Sequence, residues 1–179
     1  MQPFTAVLID DDIVVPTRSE ADSLHSDAYG YWGDDKLLHL EPSEVLYNVE
    51  RQKIMVIDEN KNAKLSFKEL LNLFNKQDSG VWEQFIVFKD LRQRGFVIRK
   101  DISSGRYIVW ERGMYNQEGP NYRILIVSEG SPRYPEDFYD SVIESDKVSL
   151  ETKLAVIDRR GEVVYYGLSE AFNEYPSGS

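Results

Sequence analysis

No cysteine occurs among the 179 residues, and there are only two histidines, His25 and His39. The first absence rules out disulfides, iron–sulfur ligation and cysteine-based zinc sites, and it suits a reducing compartment. With two histidines, no thiolate and no H-x-x-x-H spacing, carboxylates would have to complete any zinc site, so no metal is expected. His25 stands in a polar stretch and His39 among leucines, which reads as surface and sheet edge. No run of about 18 apolar residues is present, so no membrane-spanning helix is expected. The start Met1-Gln2-Pro3-Phe4-Thr5 lacks a basic region followed by an apolar stretch, so no secretory signal is expected and the chain reads as cytoplasmic. The patterns G-x-x-x-x-G-K-[ST], G-x-G-x-x-G and G-x-S-x-G are all missing, which leaves no phosphate-cradling loop and no nucleophile elbow. No cofactor is expected.

What is present is an acidic chain with a real core. Hydrophobic residues make up 41% and charged ones 29%, with a net charge of −10. That balance is awkward for gripping nucleic acid, because phosphate binding relies on Lys and Arg. The charge is also uneven. Residues 1–80 carry 15 acidic and 8 basic side chains, and residues 81–179 carry 16 and 13. The excess reads as a solvated face that keeps the chain soluble; against an RNA target it reads as a grip supplied mainly by a partner. Asp10-Asp11-Asp12 cannot aim three consecutive side chains at one ion and reads as a solvated turn. One stretch runs the other way: Lys89–Lys100 (KDLRQRGFVIRK) sets Lys89, Arg92, Arg94, Arg99 and Lys100 against a single acid, with Phe96 inside. It suits an RNA backbone, but the stretch taken alone reads first as an ordinary helix end followed by a strand.

Alternation predicts a β-hairpin from Thr5–Asp10 and Ile13–Val15. Residues 16–36 show no clean period and read as loop and short strand, and Lys36–Leu40 as a strand. Pro42 opens a helix through about Gln52, with Val45, Leu46 and Val49 as its stripe. Lys53–Asp58 is a strand. Ser66 and Glu69 have capping-box spacing ahead of Leu70, Leu71, Leu73 and Phe74. Gln77–Gly80 is the expected domain boundary. Trp82 to Arg94 is a second strong helix, stopped by Gly95. Phe96–Lys100, Arg106–Arg112 and Tyr122–Val127 read as strands, Pro135 to about Ile143 as an amphipathic helix, and Lys153–Asp158 with Glu162–Gly167 as a closing hairpin. Pro176–Ser179 reads as a frayed tail. The order is not the βαβ alternation of a doubly wound fold. The fold class is α+β: a small N-terminal α+β domain over 1–80, then a C-terminal mixed β-sheet flanked by helices over 81–179.

Four segments, in order, resemble the tRNA-splicing endonuclease (tRNA-intron endonuclease) family. Phe88-Lys89-Asp90-Leu91-Arg92-Gln93-Arg94-Gly95-Phe96 followed by Trp110-Glu111-Arg112-Gly113 is similar to its hallmark. Leu40–Tyr47 with Leu65–Leu70 is similar to its N-terminal domain, and Val156–Asp158, Gly161 and Val163–Tyr166 to its closing hairpin. The resemblance implies metal-independent cleavage of precursor tRNA at a bulge–helix–bulge, leaving a 2′,3′-cyclic phosphate and a 5′-hydroxyl. Such a reaction needs a base on the 2′-oxygen, an acid for the leaving oxygen and a cation for the phosphorane. The family supplies Tyr, His and Lys. Carried over position by position, those places fall near Ser103, at Asn121-Tyr122 and at Glu151, with Lys153 two residues away. No histidine follows His39.

The resemblance therefore implies the structural subunit of a heteromeric enzyme, two copies pairing with two catalytic subunits in an (αβ)2 heterotetramer that acts on precursor tRNA. It implies pairing along Val163, Val164, Tyr165 and Tyr166, and docking of the hairpin loop. That loop is acidic in the family and here reads Asp158-Arg159-Arg160-Gly161-Glu162. Two alternatives stay open: a complete homomeric endonuclease using Tyr107, Tyr122 and Lys153, and an interaction module that kept the fold and lost the enzyme.

Overall fold

The computed structural model describes residues 1–130 and 150–167. They form two compact units that divide between Lys89 and Asp90. The expected helix at Pro135–Ile143 and the tail at Pro176–Ser179 lie outside the described residues.

In the first unit β1 (Phe4–Ile9) and β2 (Asp12–Val15) make the expected hairpin, with Val7 opposite Val14. The chain then departs from expectation. Residues 18–26, within the stretch expected as loop and short strand, form helix α1 (Arg18–Ser26). Only Ala21 and Leu24 of this helix are buried, so its apolar stripe is two residues wide and leaves almost no periodic signal. Two short strands follow, β3 (Tyr31–Trp32) and β4 (Leu38–Leu40). Helix α2 (Pro42–Glu50) starts at its proline, and its Glu44 is a buried carboxylate accepting from the amides of Gly30 and Glu41, both at 3.0 Å. Strand β5 (Ile54–Asp58) pairs parallel with β1, while β6 (Ala63–Leu65) pairs antiparallel with β5 and closes the sheet order β3-β4-β2-β1-β5-β6.

Helix α3 (Phe67–Gln77) begins with the expected capping box. The Ser66 amide donates to Glu69 at 2.7 Å, and the Glu69 amide donates to the Ser66 hydroxyl at 3.2 Å. The bonds from Ser66 hold the Glu69 carboxyl below its ordinary pKa. Leu46, Val56, Leu70 and Phe74 are at most 2% exposed and form the core under the helices. Helix α4 (Val81–Gln93) runs across the division between the units.

The second unit is a five-stranded mixed sheet in the order β11-β10-β9-β8-β7. Strands β7 (Val97–Lys100), β8 (Tyr107–Trp110) and β9 (Tyr122–Ser128) are antiparallel neighbours. Strand β10 (Glu151–Ile157) runs parallel to β9, and β11 (Val163–Gly167) folds back on it as the edge strand. Ile98, Tyr107, Val109, Ile124 and Ala155 are buried on one face of this sheet. The α+β class and the mixed sheet are as expected.

Candidate functional site

Two register facts build the site. Val109 lies opposite Tyr122, which puts Glu111, just past the end of β8, diagonal to Tyr122. Parallel pairing sets Glu151 beside Tyr122 and Lys153 beside Ile124. The side chains gather at one end of the sheet, around a cleft of about 450 Å³. Its polar lining is Arg94, Glu111, Arg112, Tyr122, Lys153 and Tyr165, over an apolar floor of Leu91, Phe96, Val109 and Ile124.

Both phenols in this cleft are tied to carboxylates. The Tyr122 hydroxyl donates to Glu111, and that bond, helped by burial and by the charges of Glu111 and Glu151, pushes its pKa up to about 12. The Tyr165 hydroxyl donates to Asp90 at 2.7 Å. Burial first, then the bond to Asp90, raises its pKa well above the phenol range, with Arg94 opposing. Arg94 itself donates to Asp90 at 3.2 Å and lies 5.8 Å from the Tyr165 ring. Lys153 pairs with Glu151 at 3.2 Å, and its ammonium lies 5.3 Å from the Tyr122 ring centre. Arg112 is stacked 5.2 Å over Phe96. Asn121 is turned back onto the main chain, its side-chain oxygen accepting from the Glu111 amide at 3.1 Å.

Of the positions carried over from sequence, Tyr122, Glu151 and Lys153 come together here. Ser103 does not. It sits in the turn before β8, at the other end of that strand from Glu111, where its hydroxyl donates to both oxygens of Asp101 at 3.1 and 3.0 Å. Tyr107 is 3% exposed and belongs to the sheet core rather than to the cleft lining. Glu111 and Arg112 went unselected in the sequence. They were visible as part of the Trp110–Gly113 segment, but their role depends on the β8–β9 register.

The chain matches the tRNA intron endonuclease N-terminal domain over residues 4–71 and the tRNA intron endonuclease catalytic C-terminal domain over residues 81–165. The chain belongs to the tRNA intron endonuclease family. It is 29% identical over 164 residues to the tRNA-splicing endonuclease of Methanococcus vannielii, covering 91% of this chain and 92% of that one. It is 35% identical over 130 residues to the tRNA-splicing endonuclease of Thermococcus onnurineus, covering 72% and 74%. With the tRNA-splicing endonuclease of Pyrococcus abyssi it shares 31% over 157 residues, covering 87% and 89%.

The five cations expected to face RNA in this tRNA intron endonuclease chain do not form one cluster. Lys89 belongs to the first unit and pairs with Glu50 at 2.7 Å. Arg94 lines the cleft. Arg99 and Lys100 are consecutive strand residues and point to opposite faces; the Arg99 guanidinium donates to the Tyr115 hydroxyl at 2.7 Å, and Lys100 lies 5.8 Å from the Tyr107 ring. Arg92 sits in the last turn of α4.

The edge strand β11 presents Val164 49% exposed. In its hairpin the Asp158 carboxylate accepts from the amides of Arg160 and Glu162, at 2.8 and 2.9 Å, so it shapes the turn, and both arginines at the tip are exposed. Among the described residues no group of three or more His, Cys, Asp or Glu is placed to hold a metal. Among the same residues no helix is long and apolar enough to cross a membrane.

Proposed function

We propose that this chain is a structural subunit of a tRNA-splicing endonuclease, which assembles with a catalytic subunit to excise introns from precursor tRNA at bulge–helix–bulge sites. The observation that carries the reading is that both cleft phenols donate to carboxylates, with the pKa of Tyr122 pushed up to about 12. A phenol at that pKa is ionised in about one molecule in 10⁵ at pH 7, so it is a poor base. It is also a poor acid beside an imidazolium near 6.5, and no histidine follows His39 to take that role. Lys153 is a cation in place, but its partner Glu151 offsets its charge.

Residues 1–80 serve as the N-terminal domain and 81–179 as a nuclease-like domain without its own triad. The exposed edge of β11, with Val163, Val164, Tyr165 and Tyr166, is the pairing surface in an (αβ)2 heterotetramer. The loop bearing Asp158, Arg159, Arg160 and Glu162 extends it. Arg92, Arg94, Arg99, Lys100 and Lys89 contribute to holding RNA within that complex, which works in the cytoplasm. The test is to purify the chain alone, then with the catalytic subunit it co-purifies with from its source cell, and to assay an intron-containing transcript. Cleavage only in the presence of the partner is expected; full cleavage without it rejects the assignment.

A homomeric enzyme is the second reading, favoured by the meeting of Tyr122 and Lys153 in one cleft. It requires that Tyr122→Phe and Lys153→Ala abolish cleavage by the isolated chain.

A further inference from the structure

The first unit is acidic, yet one corner of it is not. From Asn60 to Lys68 the chain carries three lysines and no acid. Lys61 lies in the turn entering β6, Lys64 on that edge strand and Lys68 in the first turn of α3, and all three side chains are exposed. Among the described residues none of the three is in an ion pair, whereas Lys53 and Lys89 of the same unit are paired with Asp27 and Glu50. Of the acids that flank the stretch, Glu69 is held in the capping box with Ser66 and Asp58 accepts from the amides of Asn60 and Lys61, which leaves Glu59 as the exposed acid at its border. Aromatic rings run outward from this corner. Phe67, at the start of α3, meets Phe85 edge-on at 5.4 Å, and Phe85 meets Trp82 at 5.6 Å. Trp82 ends the row 44% exposed.

We infer that this β6–α3 corner, with Trp82, is a second RNA-contacting surface, separate from the cleft. Unpaired lysines on an edge suit phosphates, and an exposed indole stacks on any base. An acidic peptide would satisfy the lysines and leave the exposed indole unexplained. The chain's membership of a family named for tRNA introns points the same way. Such a contact is open to the structural and to the catalytic member alike, so the proposal stands or falls independently of the subunit assignment.

The test uses the full chain and a fluorescein-labelled RNA helix flanked by two bulges, titrated by anisotropy at several salt concentrations. Lys61→Glu/Lys64→Glu/Lys68→Glu is expected to weaken binding by at least about tenfold and to flatten the log–log salt dependence by about two to three units. Trp82→Ala is expected to weaken binding with the salt slope unchanged, and Trp82→Phe, which keeps a ring face, to restore most of it. The lysine variant reports even if Trp82→Ala disturbs the packing of Phe85, because the lysine side chains are exposed. Unchanged affinity and slope in the lysine variant overturns the proposal, and the lysines then only guard a strand edge. Equal competition by polyglutamate at matched charge, or loss of self-association in place of RNA binding, assigns the corner to an acidic partner or a second copy and overturns it as well.

Discussion

Replacing Glu111 with Gln tests the electrostatics of the cleft most sharply. The substitution keeps a hydrogen-bond acceptor opposite the Tyr122 hydroxyl and removes the negative charge. The pKa of Tyr122 is pushed to about 12 chiefly by the bond to Glu111, with burial and the charges of Glu111 and Glu151 adding to it. A fall from 12 to the ordinary value near 10 amounts to about 2.7 kcal/mol between the two protonation states. Because the phenol is near solvent, screening reduces that, and a drop of at least about one unit is the expected response. With 11 tyrosines in the chain, bulk absorbance cannot isolate one of them. Ring-labelled tyrosine followed by carbon NMR between pH 8 and 12.5 can, with Tyr122→Phe assigning the resonance. The sign is fixed by the raised pKa: the folded state holds the Tyr122 proton more tightly than the unfolded chain. Its contribution to stability is therefore complete below about pH 10 and is lost as pH rises toward 12. A wild-type Tyr122 titrating near 10, or a value near 12 unmoved by Glu111→Gln, would refute the argument that the cleft holds its phenol protonated.

Tyr165→Phe deletes the bond to Asp90, one of the ties between β11 and α4, and should cost about 1–2 kcal/mol by urea unfolding at pH 7 while flattening the alkaline fall in stability. An unchanged urea midpoint would mean the tie contributes nothing. Glu44→Ala removes the carboxylate that accepts from the buried amide of Gly30 and the part-buried amide of Glu41 and should destabilise the first unit by about 1–3 kcal/mol; a loss under 0.5 kcal/mol would contradict this. Ser66→Ala removes the capping-box hydroxyl of α3, with an expected cost near 1 kcal/mol in the same assay.

What the sequence exposed and what it hid follow from range. The capping box at Ser66 and Glu69 was legible because both partners lie within one turn. The strands of the second unit were legible because each is a short apolar run between polar turns, as at Tyr122–Ser128. Helix α1 was hidden because it buries only Ala21 and Leu24, and its N-cap Thr17 makes no side-chain bond. Strands β3 and β6, two and three residues long, are too short to show alternation and exist because neighbours pair with them. The same limit applied at the site. That Tyr122 and Lys153 share a cleft follows from two strand registers, whereas Ser103 is set apart from Glu111 by the extent of β8 alone.

Single-turnover incubation decides the central question. The purified chain, in excess over a labelled precursor tRNA and with no other protein, should leave the RNA intact at neutral pH, and adding the catalytic subunit should release the intron with 2′,3′-cyclic phosphate ends. Accumulation of those same ends from the lone chain, abolished by Tyr122→Phe, would contradict the account.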